Sequence, residues 1–271
     1  MKSINKKITS DISQKLFYLV VLILFLRIDL VFQNNTPTGG DMGAHIVAID
    51  TFIRDFMPNF QINGWSNDWF AGYPLYYFYF PLPAIITFFL DLIFPFGVAF
   101  KIMIVMSSII VVHSIEKLLR KDSKNFSTFG ATAGLFYILT ESFTIYGGNL
   151  ASTLAGQFSF AYSLGFANLS IYYLIKSNNK LRFPISSIFL SLCLLSHLIP
   201  FIIYIPIYGF YWLLKKEKTN QKILSITIFL AIVVRWTTSL FMNLEFTTNM
   251  SYTPFSRIED LIKEDILPII F

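Results

Sequence analysis

The sequence predicts an all-α polytopic membrane protein with about seven transmembrane helices and a large first extracytoplasmic loop. Three observations predict it. Of the 271 residues, 55% are hydrophobic and only 14% are charged, against about 25% charged in soluble domains, so polar surface is too scarce to coat a water-soluble globule. The apolar residues gather in runs of roughly 15–20, close to the ~20 needed to cross a bilayer core about 30 Å thick. Short Lys and Arg clusters separate these runs, and such clusters favour the cytoplasmic side. A cytosolic enzyme, a disordered chain, a collagen and a transmembrane barrel are all excluded together. The net charge of +5 would suit nucleic acid, but the basic residues lie in loops between apolar runs rather than on one soluble face, so no nucleic-acid partner is expected. The single cysteine, Cys193, lies inside an apolar run; packing is its expected role, with no disulfide framework and no Cys-based metal site.

Taken in order, Lys2, Lys6, Lys7 and Lys15 precede the run from Leu16 to about Phe32. That charge bias places residues 1–15 in the cytoplasm and the end of the first span outside. Arg27 and Asp29 interrupt the run and no small-residue cleavage site precedes Thr36, so it reads as a retained anchor rather than a signal peptide. Further clusters at Lys117, Arg120, Lys121 and Lys124, at Lys176, Lys180 and Arg182, and at Lys215, Lys216, Lys218 and Lys222 mark the remaining cytoplasmic loops. Apolar stretches at 98–116, 128–146, 152–175, 184–198, 200–214 and 223–241 supply the other spans. The membrane module is thus 16–241, with an outer loop at 33–97 and an extracytoplasmic tail at 242–271. Parity leaves room for only one crossing between Asp41 and Lys117, and the stretch 82–95, bounded by Pro83 and Pro95, is too short to be it. About 13 residues give roughly 20 Å of helix, so a re-entrant or interfacial helix is expected there.

The outer loop opens with Gly39-Gly40-Asp41-Met-Gly-Ala-His45, followed by Ile46, Ile49, Phe52, Ile53 and Phe56 at helical spacing. This is the pattern of an amphipathic interfacial helix, with Asp50 and Arg54 paired on its wet side. Asp41 at its start serves as an N-cap, as a general base, or as both; His45 shares its helical face. The stretch 64–83 interleaves aromatics, including Trp69, Tyr73 and Tyr79, with Gly and Pro. It reads as an interfacial aromatic belt, or as an irregular surface for a sugar face or a lipid tail. Small and polar residues at 146–157, with Asn149, Ser152 and Gln157, serve close helix packing or hydrogen-bond a sugar or phosphate. His197 lies at the tip of the next hairpin, as an interface residue or as part of a site. Arg235 and Glu141 are charges in the outer half of their spans; Arg235 either snorkels or grips a lipid phosphate. His113 and Glu116 read as solvated residues at a cytoplasmic helix end. The candidate site is therefore Asp41 and His45 for catalysis, with Trp69, Tyr73, Asn149, Gln157, His197 and Arg235 for binding, all sent to the outer side by a topology derived without them.

The retained first span, the long outer loop with an Asp just after it, and the segment ending Phe80-Pro81-Leu82-Pro83 resemble the GT-C superfamily of polyprenyl-phosphate-sugar-dependent glycosyltransferases. Within it, Gly40-Asp41-Met-Gly-Ala-His45, Trp69-Phe70-Ala-Gly72-Tyr73-Pro74-Leu75 and Leu150-Ala-Ser-Thr-Leu-Ala-Gly156-Gln157-Phe158 are similar to the bacterial membrane family labelled "6-pyruvoyl-tetrahydropterin synthase-related". The label itself implies a His-ligated zinc, and three scattered histidines give no such ligand spacing. The resemblance implies a GT-C-like fold in the bacterial plasma membrane with the N-terminus cytoplasmic, a polyprenyl-phosphate-linked sugar as donor, membrane lipid as surroundings, and Asp41 as the catalytic carboxylate. A divalent metal stays open. A second outer-face carboxylate common in the superfamily has no counterpart, since position 157 is Gln and Glu141 lies deeper. Members also continue past the position of Phe271, which implies either a partner subunit supplying that portion or an inactive truncated subunit. A lipid-glycan carrier that binds without chemistry is the rival reading from the same residues.

Overall fold

The computed structural model describes residues 2–68, 71–120, 126–140, 147–177 and 179–243, with side chains from Ser13 onward. It is mostly helical. Among the described residues, the helical runs Phe96–Leu119, Leu150–Ile175 and Thr219–Met242 are long and apolar enough to cross a membrane. At 24 residues the first and last reach roughly 36 Å at 1.5 Å per residue. This is an all-α architecture with membrane-spanning helices, but the lengths do not show seven spans. Shorter apolar helices accompany the three.

The first helix, α1 (Lys2–Phe25), begins well before the expected start at Leu16. It stops because Arg27 takes a left-handed backbone, φ 46° and ψ 56°, before the short α2 (Ile28–Val31); the interruption that Arg27 and Asp29 make in the apolar run is a kink in the helix. In the stretch 33–97, expected to be an outer loop, α3 (Met42–Thr51) passes into a π turn at Phe52–Phe56 and a 3-10 turn at Met57–Asn59. Its amphipathic periodicity is observed: Ile49, Phe52 and Phe56 are buried, while Asp50 pairs with Arg54 on the other side. Strands β1 (Gly64–Ser66) and β2 (Tyr73–Leu75) form an antiparallel ribbon in which Trp65 opposes Pro74. The segment after it forms α4 (Leu82–Asp91), ten residues and about 15 Å long.

The bundle proper comprises α5 (Phe96–Leu119), α6 (Thr128–Ile138), a short α7 (Leu150–Ser152) that runs through a π turn at Thr153–Gln157 into α8 (Phe158–Ile175), α9 (Arg182–Ser196), α10 (Leu198–Leu214) and α11 (Thr219–Met242). The expected span at 128–146 is helical only to Ile138, and residues 141–146, Glu141 among them, lie outside the described residues. Helices α9 and α10, 15 and 17 residues long, meet at His197, whose extended backbone, φ −168° and ψ 140°, ends the one and starts the other. The core runs through α5 and α8, where Phe100, Met103, Phe158 and Tyr162 are almost fully buried. Helix α10 exposes Ile202, Ile203, Phe210, Leu213 and Leu214, a face suited to lipid rather than to water.

Close approach of α5 and α6 depends on glycine. A Cβ on Gly130 would lie 2.9 Å from the Glu116 Cα and carbonyl oxygen, and one on Gly134 would lie 3.0 Å from the Val112 Cα; a small-xxx-small stripe is what lets two apolar helices touch backbones. Gly130→Ala is expected to destabilise the protein by about 1–3 kcal/mol through overpacking, read as a lower thermal midpoint in detergent.

The basic clusters meet at one end of the bundle. Lys176 donates to the Leu118 and Arg120 carbonyls at the end of α5, Lys215 to the Ile175 carbonyl at the end of α8 (2.8 Å), and Lys222 to the Leu213 carbonyl at the end of α10 (3.3 Å). Arg182 bridges to Glu217 at 2.7 Å, and Gln14 meets Thr128 at the start of α6. Lysines there neutralise the negative ends of three helices whose last carbonyls lack partners. One expectation fails here. Glu116 is not a solvated helix-end residue but is 2% exposed. It is gripped by Arg120 (2.6 and 2.7 Å) and by the Ser127 N–H (2.7 Å), because the entry of α6 folds over the end of α5 and removes the water a lone carboxylate would need.

Candidate functional site

At the opposite end, two glycine-containing segments are stitched together. The Asp41 N–H donates to the Ala155 carbonyl at 2.9 Å, and the tightness of the join excludes side chains: a Cβ on Gly40 would collide with the Ala155 carbonyl, and one on Gly156 would lie 2.9 Å from the Asp41 Cβ. Gly156 has φ +113°, inside the π turn that interrupts the 150–175 run, a conformation open to glycine at little cost. π turns of this kind recur at functional positions.

Around this join lies a cavity of about 380 Å³ lined by Asp41, Ala44, His45, Ala48, Tyr73, Leu75, Tyr79, Gln157 and His197. Each comes from a different local cause. Asp41 occupies the N-cap position of α3, but its carboxylate makes no capping bond, so the capping role does not engage the side chain. His45 follows one turn later, its N–H donating to the Asp41 carbonyl at 3.1 Å, and its ring packs against Phe158 (4.7 Å between centroids) and Tyr79 (5.8 Å). Gln157 closes the π turn. His197 lies at the α9–α10 break, where its Nδ1 accepts from the Ile199 N–H (3.2 Å) and its ring stacks on Phe80 (5.2 Å).

The wall carrying Tyr73 and Tyr79 is held from α11. Trp236, 2% exposed, donates its indole N–H to the Tyr76 and Tyr79 carbonyls, both at 3.1 Å. Arg235 donates to the Phe60 carbonyl at 2.8 Å, and Asn63 to the Ser239 hydroxyl at 2.6 Å. Thr51 donates to the Asp68 carboxylate at 2.8 Å, which ties α3 to the ribbon.

The structure thus brings together Asp41, His45, Tyr73, Gln157 and His197. It does not bring Arg235 or Asn149 into the lining. The Arg235 guanidinium goes to a loop carbonyl rather than to the cavity. Asn149 is 5% exposed and serves as the N-cap of α7, accepting from the Ser152 N–H (2.8 Å) and donating to the Thr140 carbonyl (2.7 Å). Trp69 lies outside the described residues. Tyr79 lines the cavity although it was only one of many aromatics in its stretch; its spacing carries no signal, since the left-handed Tyr76 (φ 61°) re-aims the chain just before it.

Among the described residues, Asp41 is the sole carboxylate in the lining and no Arg or Lys joins it. Among the described residues no group of three or more His, Cys, Asp or Glu side chains is placed to hold a metal ion. Burial pushes the His45 imidazole below its ordinary value, opposed by the Asp41 charge and by the Gly156 carbonyl. The Tyr79 phenol is pushed up, chiefly by loss of water, with the Ser159 hydroxyl opposing and the Asp41 charge adding. The cavity at neutral pH therefore presents an uncharged imidazole and an uncharged phenol. For a depressed histidine the unfolded chain takes up its proton first, near pH ~6.5, so the stability that neutral His45 contributes is complete above that pH and is lost as pH falls toward the folded value. Acidification from pH 7 to pH 5 is expected to lower the thermal midpoint, and by less in His45→Gln.

Compared with protein-family models, curated proteins and solved structures, the chain matches none of them.

Proposed function

We propose that the chain is a membrane glycosyltransferase that moves a sugar from a polyprenyl-phosphate-linked donor to an acceptor on the extracytoplasmic side. One observation carries it: the Gly40-Asp41 and Ala155-Gly156-Gln157 segments, which are distant in sequence, join around a cavity at the end of the bundle away from the basic loops. In this reading those basic loops face the cytoplasm, the shorter helices cross with the three long ones to make seven spans, and α3 and α4 lie in the outer interface. Asp41 takes the acceptor proton as general base. Tyr73 and Tyr79 offer aromatic faces to the sugar, and His197 and Gln157 hydrogen-bond the departing phosphate, while Arg235 is held by the Phe60 carbonyl.

The absence of Arg and Lys from the lining among the described residues favours a second reading, a lipid-glycan carrier that binds the sugar portion without breaking a bond. A mass-spectrometric comparison of envelope glycans from cells carrying the wild-type chain or Asp41→Asn separates the two. The enzyme reading expects a sugar present with the first and missing with the second. Identical profiles in both overturn it, and unmodified lipid-linked glycan accumulating on one leaflet supports the carrier.

A further inference from the structure

A second cavity, of about 260 Å³, lies on the other side of the same join. Its lining is mainly apolar, with Leu26, Leu30, Ile104, Val105, Leu150 and Leu154 among the side chains. Pro37 belongs to it as well, four residues before Asp41, so the segments 37–41 and 150–157 separate the two cavities. Three features set it apart from a chance gap between helices. Arg27 and Lys101 both line it, placing two cations beside an apolar space. Ser108 also lines it, is fully buried, and its hydroxyl has no hydrogen-bond partner; an orphaned hydroxyl is costly and calls for an occupant with an acceptor. Arg27 holds a left-handed conformation that a non-glycine residue adopts only at a cost.

The charges are not equally spent. Arg27 forms a two-point pair with Asp29 (2.9 and 2.8 Å), both residues well exposed. Lys101 gives its protons to neutral oxygens, those of Leu30, Gln33 and Asn35, so its positive charge is uncompensated. The mouth therefore carries a net positive charge next to an apolar space. A cavity of about 150 Å³ takes one benzene, so this one has room for roughly ten carbons, the inner part of a single acyl chain.

We propose that this cavity holds one acyl chain of an anionic glycerophospholipid, its phosphate drawn to Arg27 and Lys101 and an ester oxygen accepting from Ser108. Such a lipid backs the 37–41 and 150–157 segments from behind, and so sets the position of Asp41 whatever chemistry Asp41 performs. Phosphate neutralisation by arginine is bidentate and specific, whereas a zwitterionic headgroup brings its own cation and gains less.

The test uses the full chain in bilayer nanodiscs of equal phosphatidylglycerol and phosphatidylcholine with a small share of polyprenyl phosphate, and retained lipid is counted by native mass spectrometry. The wild type is expected to retain one phosphatidylglycerol in preference to phosphatidylcholine. Arg27→Gln lowers that preference by about tenfold. Asp29→Asn, which releases Arg27 from its competitor, raises it, and Leu154→Trp, which fills the space, lowers retention of both lipids. Equal retention of the two lipids by the wild type overturns the proposal, as does an unchanged preference in both charge variants or a polyprenyl phosphate as the retained species.

Discussion

Asp41→Asn is expected to lower sugar transfer by about 10²–10⁴-fold, the range over which a positioned base accelerates proton transfer. Its thermal midpoint in detergent should correspond to a change within ~0.5 kcal/mol. The two halves of that expectation come from different atoms. The bond that joins the Gly40-Asp41 segment to Ala155 is made by the Asp41 backbone N–H, which Asn keeps. The carboxylate makes no capping bond to α3 and lines the cavity, so the substitution removes proton acceptance and little else. A loss of transfer accompanied by an equal loss of stability would assign Asp41 to the fold rather than to the chemistry. Full retention of transfer would remove it from the mechanism altogether.

The second large effect lies at the other end of the molecule. Glu116→Gln is expected to destabilise the protein by about 3–5 kcal/mol, because breaking a buried pair leaves its partner charge uncompensated. Here that partner is Arg120, which is 10% exposed in its side chain. The same carboxylate also accepts from the Ser127 N–H at 2.7 Å, so its loss unsettles the start of α6, where the Ser127 hydroxyl caps the helix through Gly130 at 3.0 Å. Adding Arg120→Gln to Glu116→Gln should recover part of the loss, giving a coupling of about 0.5–3 kcal/mol in a double-mutant cycle. Strictly additive losses would show that the pair contributes nothing beyond its two members. Thermal or denaturant unfolding in detergent reads both, and a single-variant cost under ~0.5 kcal/mol would return Glu116 to the solvated role its position at a helix end first suggests.

These two residues show what could be read locally and what could not. Asp41 was legible because a small Gly-Gly turn, a carboxylate and an amphipathic repeat follow one another directly, and His45 because four residues make one helical turn. The repeat itself was sound: Ile49, Phe52 and Phe56 all bury against the bundle. Glu116 misled because its sequence neighbourhood of Lys117 and Arg120 is that of any solvated loop. Its burial is decided by α6, which arrives from more than ten residues downstream with glycines at the contact. Asn149 and Arg235 misled for a related reason. Polar side chains near the end of an apolar run look alike in sequence whether they face a cavity or satisfy a backbone group. Here Thr140 and Phe60 supplied the carbonyls that claimed them. Tyr79 was hidden in Tyr76-Tyr77-Phe78-Tyr79-Phe80, five aromatics in succession, and the Trp236 indole, reaching across from α11, selects how that stretch is held.

By itself the sequence determined the class of molecule, a helical membrane protein, and the two motifs worth joining, since hydrophobicity and charge act on each segment whatever its neighbours are. Only the tertiary structure decided which helices are long enough to span, which polar groups enter the cavity and which are spent on carbonyls. A hydrogen bond needs a partner within about 3 Å, and the chain brings those partners together from far apart.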